Sequence, residues 1–293
     1  MHRPLIIGHR GACGYRPENT LESFRLAIAQ GADGVEFDLV TSADEVLVIR
    51  HENALAGTTD ISSRPEFQSL RREGIIDSQE VSDWFTEDLS LADLKKLRAR
   101  ERLAELRPGS AKFDGEFDIP ELAEVIALEE LRDKLIVAEI KDGTHLNNLS
   151  APMAKLFADT VSAQPIIGKL LIESFSYDLL AEARDEFSRR NIPAQYFFLL
   201  EEGVPEKAEE YLASFDGVSI SLEMLFDRVD WVDRVHHLGK KIFTYTAAVE
   251  KAETSIEEYY LRIIATGVDG IFTDQPDLLG RVLEDSSGSN YDY

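Results

Sequence analysis

Histidine, arginine and carboxylates recur where short apolar runs stop, at spacings that could support acid–base chemistry around a hard cation. Leu5-Ile-Ile-Gly8 runs into His9-Arg10-Gly11, setting an imidazole and a guanidinium at the carboxyl end of a predicted strand. In Gly34-Val-Glu-Phe-Asp-Leu-Val40 the two-residue alternation of a strand puts Glu36 and Asp38 on one face and Val35, Phe37 and Leu39 on the other. Two inward acids repel and desolvate each other, so they need a cation, whether a metal, an arginine or a lysine; a structural ion pair answers that need as well as a catalytic ion does. Leu135-Ile-Val-Ala-Glu-Ile-Lys141 repeats the device, with Glu139 and Lys141 sharing a face. Three carboxylates without a thiolate describe a site for magnesium, calcium or manganese rather than zinc or copper. Lys141 is then a phosphate or leaving-group partner, or the counter-ion of Glu139. His51, which follows Val46-Leu-Val-Ile-Arg50, can face His9 across a small site, and two histidines beside a metal suggest general acid–base work. His2, His145, His236 and His237 have no such company and read as surface or helix-end residues.

The elements that must position these groups alternate. Apolar runs at Leu5–Gly8, Gly34–Val40, Val46–Ile49, Leu135–Ile140, Leu170–Phe175, Gln195–Leu200, Gly217–Leu222, Lys241–Thr246 and Gly267–Phe272 read as strands. Between them, Leu21–Gln30, Ala151–Ala163, Tyr177–Arg190, Pro205–Phe215, Met224–His237 and Ser255–Thr266 carry apolar residues at helical spacing. Such alternation implies a parallel sheet covered by helices, and a closed (β/α)8 TIM barrel suits the length. Nine strands is one too many, and the link from Val40 to Val46 is too short for a crossover helix. Val46–Ile49 is therefore expected as a hairpin partner of the second strand, turning at Thr41–Asp44. Gln30-Gly-Ala-Asp-Gly-Val-Glu-Phe-Asp38 and Thr266-Gly-Val-Asp-Gly-Ile-Phe-Thr-Asp274 share a pattern in which Gly31 and Gly267 suit the left-handed residue that ends a helix. Residues 52–119 break the rhythm and are expected to form an ordered, cap-like insertion over one barrel end, with a short capped helix near Ser90. The barrel domain spans 1–285, and 286–293 read as a flexible tail.

Composition bounds the alternatives. The 293 residues include 31 Lys+Arg against 55 Asp+Glu, a net charge of −24, which argues against a nucleic-acid backbone or an anionic lipid surface as partner. The one cysteine, Cys13, is expected to pack near His9 or to line the site. No run approaches the roughly 18 apolar residues of a membrane span. As it stands the sequence reads cytoplasmic, or periplasmic or secreted if a leader was removed; it leaves the oligomeric state open.

Taken in order, His9-Arg10-Gly11, Pro17-Glu18-Asn19-Thr20, Glu36-Phe-Asp38, His51-Glu52, Glu139-Ile-Lys141 and Phe272-Thr273-Asp274 resemble the glycerophosphodiester phosphodiesterase family, over nearly the whole chain. The insertion, with Thr58-Thr-Asp-Ile61 and Ile119-Pro-Glu-Leu122, is similar to that of the longer bacterial members. The resemblance implies an irregular barrel and hydrolysis of small glycerophosphodiesters to sn-glycerol 3-phosphate and an alcohol. It implies Glu36, Asp38 and Glu139 as ligands of one divalent cation and His9 and His51 as the acid–base pair. Arg10 and Lys141 would hold phosphate oxygens, and Glu18 and Asn19 would brace the first loop, touch substrate or cap the helix near Thr20. Tyr245 stands where many members carry tryptophan and would wall the glycerol site. A phospholipase-D-like enzyme acting on a lipid headgroup and a catalytically silent binding barrel are the competing readings.

Overall fold

The computed structural model describes residues 3–76, 79–141, 152–201 and 208–288. Among these described residues, eleven strands follow in chain order: β1 (Leu5–Gly8), β2 (Gly34–Thr41), β3 (Leu47–Ile49), β4 (Arg72–Ile76), β5 (Gln79–Asp83), β6 (Leu135–Ile140), β7 (Lys169–Ser174), β8 (Gln195–Leu200), β9 (Gly217–Ser221), β10 (Lys241–Ala247) and β11 (Gly270–Thr273). Eight of them, β1, β2 and β6 to β11, pair in parallel with their neighbours. β1 pairs with both β11 and β2, which closes the sheet into a barrel. β3 lies outside that circuit as the antiparallel hairpin partner of β2, with Val40 opposite Val48. The turn between them is Ser42 to Val46, later than expected, because Thr41 still pairs with Leu47 and the Ser42 hydroxyl closes the loop by accepting the Val46 N–H at 3.0 Å.

Alternation along the strands sorts side chains as the sequence predicts. Val35, Phe37 and Leu39 of β2 and Ile136, Ala138 and Ile140 of β6 join the core beneath the helices. Ile7, Val137, Leu171, Phe197, Phe243 and Phe272 fill the barrel interior. The carboxyl-end positions on the inward face are left to polar groups. Gly31 and Gly267 end their helices at φ of 89° and 84°, the left-handed conformation the repeat predicts. The aspartate two residues past each glycine has a further role. Asp33 Oδ2 accepts the Ile6 N–H and Asp269 Oδ2 the Ile242 N–H, both at 2.9 Å, and each carboxylate tethers the start of the adjacent strand.

The insertion is ordered over its described residues. Val40 and Val48 of the hairpin pack with Leu55, Ile61, Phe67, Trp84, Leu94 and Ile119 in a second core. Ser90 caps the helix Leu91–Leu94 as expected. The β4–β5 ribbon was not legible in the sequence because its side chains are half-exposed and mostly polar, leaving no apolar run to mark it. Three further expectations need correction. Met224–His237 is two helices, Leu222–Asp227 and Asp230–His237, separated where Arg228 leaves the helical conformation and its guanidinium turns to Asp230. The last strand starts at Gly270 and not Gly267, since a left-handed cap residue cannot sit in a strand. The final helix runs to Gly288, three residues into the expected tail, and 289–293 lie outside the described residues. Among the described residues no helix is long and apolar enough to cross a membrane.

Gly34 lets β2 approach β6. A Cβ there would sit 2.3 Å from the Leu135 carbonyl oxygen, which belongs to a strand and cannot retreat. Gly34→Ala should therefore cost about 1–3 kcal/mol, read from the denaturant midpoint, through strain in the packed barrel; an unchanged midpoint would refute the close-approach argument.

Candidate active site

At the carboxyl end of the barrel, register sets carboxylates side by side. Asp38 of β2 is level with Glu139 of β6, and Glu139 with Glu173 of β7. Glu36, Asp38, Glu139 and Glu173 are all buried. One oxygen from each of Glu36, Asp38 and Glu139 falls within 4.8 Å of the others. Their neighbours supply part of the compensation: the Arg10 backbone N–H donates to Glu36 Oε2 at 2.8 Å and the Asn19 amide to Asp38 Oδ2 at 2.8 Å. Lys141 Nζ lies 2.6 Å from Glu139 Oε1 and 2.9 Å from Asp38 Oδ1. The latter contact is poorly directed, and Asp38 Oδ1 keeps no proper hydrogen bond.

The acids divide by environment. Burial acts to raise Asp38, but Lys141, His51 and Arg10 outweigh it and hold that carboxyl well below its usual range. Burial and the Asp38 charge push Glu36 well up. Burial, opposed by Lys141 but aided by Asp38, lifts Glu139 to about 7. Burial and Glu139 lift Glu173, whose Oε2 accepts the Ser219 hydroxyl at 2.9 Å, to about 8. Lys141 and Arg10 thus do not fully compensate the acids. A divalent ion seated on the three oxygens would let Glu36 and Glu139 ionise together, so the donor set fits a hard cation.

Both candidate histidines are backed by a carboxylate. His9 Nδ1 lies 2.6 Å from Asp274 Oδ1, and His51 Nδ1 lies 2.5 Å from Glu52 Oε1. A carboxylate on Nδ1 fixes the tautomer with its proton there, leaving Nε2 as the nitrogen able to accept a proton. In His9 that nitrogen is 3.5 Å from the Thr246 hydroxyl. Burial and then Arg10 lower both imidazoles, His51 to about 4 with Lys141 contributing, so both are neutral near pH 7. The His51 side chain is 27% exposed, open enough for a substrate to reach. Arg10 and Asp38 are charged neighbours of both rings, which places the pair around the acid cluster.

Glu18 and Asn19 are both buried in the loop that follows β1. Thr20 caps the helix Leu21–Ala29, since its Oγ1 accepts the Ser23 N–H, so neither Glu18 nor Asn19 is the cap. Asn19 sits at φ 57° with its amide on Asp38. Glu18 holds Arg10 at 3.2 Å and is itself held by Arg102 of the insertion. Arg50, fully buried, donates to the Glu18 carbonyl at 2.8 Å and anchors the residue before His51. Tyr245 faces the site edge-on to Phe175, 6.2 Å between centroids, with its hydroxyl donating to the Leu200 carbonyl. Cys13 packs, buried, beside Arg107. His236 and His237 lie exposed at a helix end, and His2 and His145 fall outside the described residues.

Asp274, Glu52, Glu173, Arg102 and Arg107 join the site without being among the expected residues. For Asp274 a signal existed, because it occupies in the second Gly-Xaa-Asp-Gly repeat the place that Asp38 has in the first. The two arginines sit in an irregular stretch where nothing local marks them.

Residues 9–278 match the sequence profile of the Glycerophosphoryl diester phosphodiesterase family. A glycerophosphodiester phosphodiesterase of Caldanaerobacter subterraneus is 28% identical over 279 residues, covering 94% of this chain and 96% of that protein. One of Arabidopsis thaliana is 35% identical over 147 residues, 50% of this chain but only 39% of the plant protein. Among solved structures, a phosphodiesterase of Oleispira antarctica in complex with the product sn-glycerol-3-phosphate superposes with a TM-score of 0.72 at 24% identity, over 96% of this chain and 97% of that one.

The raised acids make a prediction about stability. Glu139 and Glu173, at about 7 and about 8, hold protons in the folded state that the unfolded chain releases, so their contribution is present at low pH and lost as pH rises through those values. Chelator-treated protein should lose melting temperature between about pH 6.5 and pH 8.5, and magnesium, calcium or manganese should restore more at the upper end. The same cation-induced gain at both pH values would contradict the acid assignment.

Proposed function

The chain belongs to the Glycerophosphoryl diester phosphodiesterase family, and on that premise we propose that it is a divalent-metal-dependent enzyme hydrolysing small glycerophosphodiesters to sn-glycerol 3-phosphate and an alcohol. The observation that carries this reading is the pair of carboxylate-backed imidazoles around three clustered acids. The Oleispira antarctica phosphodiesterase, whose complex holds the product sn-glycerol-3-phosphate, supports it.

Glu36, Asp38 and Glu139 would hold the ion, which would neutralise charge developing on the phosphate oxygens. Arg10 adds a fixed guanidinium at the same place. Its Nε lies 3.5 Å from Asp38 Oδ2 without a hydrogen bond of its own, a donor left for a phosphate oxygen. Lys141 acts as counter-ion to Asp38 and Glu139 and reaches phosphate only as substrate charge draws it away. One neutral imidazole removes the proton from the attacking hydroxyl or water and later releases it to solvent, and the other, having taken a proton from solvent, hands it to the leaving alkoxide. Asp274 and Glu52 stabilise the imidazolium forms as they arise. Tyr245 and Phe175 offer an aromatic wall for the glycerol carbons.

A second reading, action on a lipid headgroup, draws support from the exposed Leu103 and Leu106 on the insertion, an apolar element a lipid surface could cover. The two separate by substrate: chelator-stripped protein given back magnesium, calcium or manganese should release sn-glycerol 3-phosphate from glycerophosphocholine, and phosphatidylcholine vesicles should not replace that substrate. His9→Ala and His51→Ala should each cost about 10²- to 10⁴-fold in turnover with the fold retained. Full activity in either variant would remove its acid–base role, and no release with any cation would remove the reaction itself.

A further inference from the structure

One short stretch of the insertion, Arg102 to Arg107, supplies a guanidinium to each of the carboxylates behind the two histidines. Arg102 Nη1 donates to Glu52 Oε1 at 2.9 Å and Nη2 to Oε2 at 2.8 Å, so it grips both oxygens of the carboxylate that holds His51. The same guanidinium grips Glu18 through Nε and, at 2.6 Å, through Nη2. Arg107 Nη2 pairs with Asp274 Oδ2, the oxygen opposite the one that holds His9. Its Nε is fixed by Glu250 Oε1 at 2.7 Å and its Nη1 by the Cys13 carbonyl at 3.2 Å. Glu250 is held in turn by the Gln275 amide at 3.1 Å. Arg107 is buried.

We propose that Arg102 and Arg107 are positioning residues for the reaction: they lock Glu52 and Asp274 at the second oxygen and so fix the planes of the His51 and His9 rings. The inference rests on the reading of those histidines as the acid–base pair. The geometry favours orientation over simple adhesion of the insertion. A carboxylate held only by an imidazole can rotate about its own axis, whereas one held at both oxygens cannot. The planar, multi-donor guanidinium suits that task better than an ammonium. As a device for stability alone, a buried ion pair gains little over an apolar contact of the same size. The insertion thereby becomes part of the catalytic apparatus: without it both histidine–carboxylate pairs lose their outer support.

The test uses Arg102→Gln, Arg107→Gln and the corresponding lysine variants of the full chain, assayed with glycerophosphocholine at saturating cation and normalised to folded protein. Arg107→Gln should lower kcat by about 10- to 100-fold, the range typical for removing the partner that orients a functional histidine's support, with KM within about threefold. Arg102→Gln should lower kcat similarly, and the lysine variants should recover part of each loss. In an Asp274→Asn background Arg107→Gln should add less than about twofold, as should Arg102→Gln in Glu52→Gln, because each arginine acts through that carboxylate. Undiminished kcat in the glutamine variants, or losses that add in full in those backgrounds, would overturn the positioning roles. Should a glutamine variant not fold, its lysine counterpart decides, and kcat equal to the parent enzyme overturns the role. Fully active His9→Ala or His51→Ala would instead remove the acid–base reading beneath the inference.

Discussion

Four carboxylates turned inward at the carboxyl end of a barrel cannot all be charged without help, and the rest of this structure is arranged around that constraint. Strand register alone brings Asp38, Glu139 and Glu173 together, and the strand alternation adds Glu36 on the face of Asp38. Desolvation then divides them. Asp38, against Lys141 and Arg10, remains an anion, while Glu36, Glu139 and Glu173 are driven toward their protonated forms. A site with surplus acidic oxygens and too few cations is poised to take a divalent ion. Such an ion would let the site accept a phosphodiester that the bare acids would repel.

The barrel and the insertion meet the constraint in different ways. The barrel supplies rigid positions: aromatic side chains pack its interior below the acids, and glycines such as Gly34 permit the close strand approach that fixes register. The insertion supplies charge from above. Its arginines neutralise Glu18, Glu52 and Asp274, acids that would otherwise add to the repulsion. Its own core, continuous with the β2–β3 hairpin, keeps those long side chains from having to find their partners from a loose loop.

Much of this was legible in the sequence because it depends on short-range periodicity. The inward face of β2 and β6 follows from alternation alone, and the left-handed Gly31 and Gly267 follow from the helix-ending pattern. The extra run before His51 had to be a hairpin because five residues cannot return a parallel strand. What was not legible depends on contacts distant in sequence. Asp274 meets His9 across 265 residues and Arg107 meets Asp274 across 167. No local pattern encodes either pairing. The break at Arg228 and the polar β4–β5 ribbon were missed for the related reason that hydrophobic spacing does not report backbone conformation where side chains face solvent.

Glu36, Asp38 and Glu139 would together form one cation site. Crystals grown with manganese and measured near its absorption edge address it directly. One anomalous peak is expected within about 2.0–2.4 Å of an oxygen from each of the three carboxylates, the span of hard-cation bonds. No peak there, or a peak at His9, Cys13 and Asp274 instead, would contradict it.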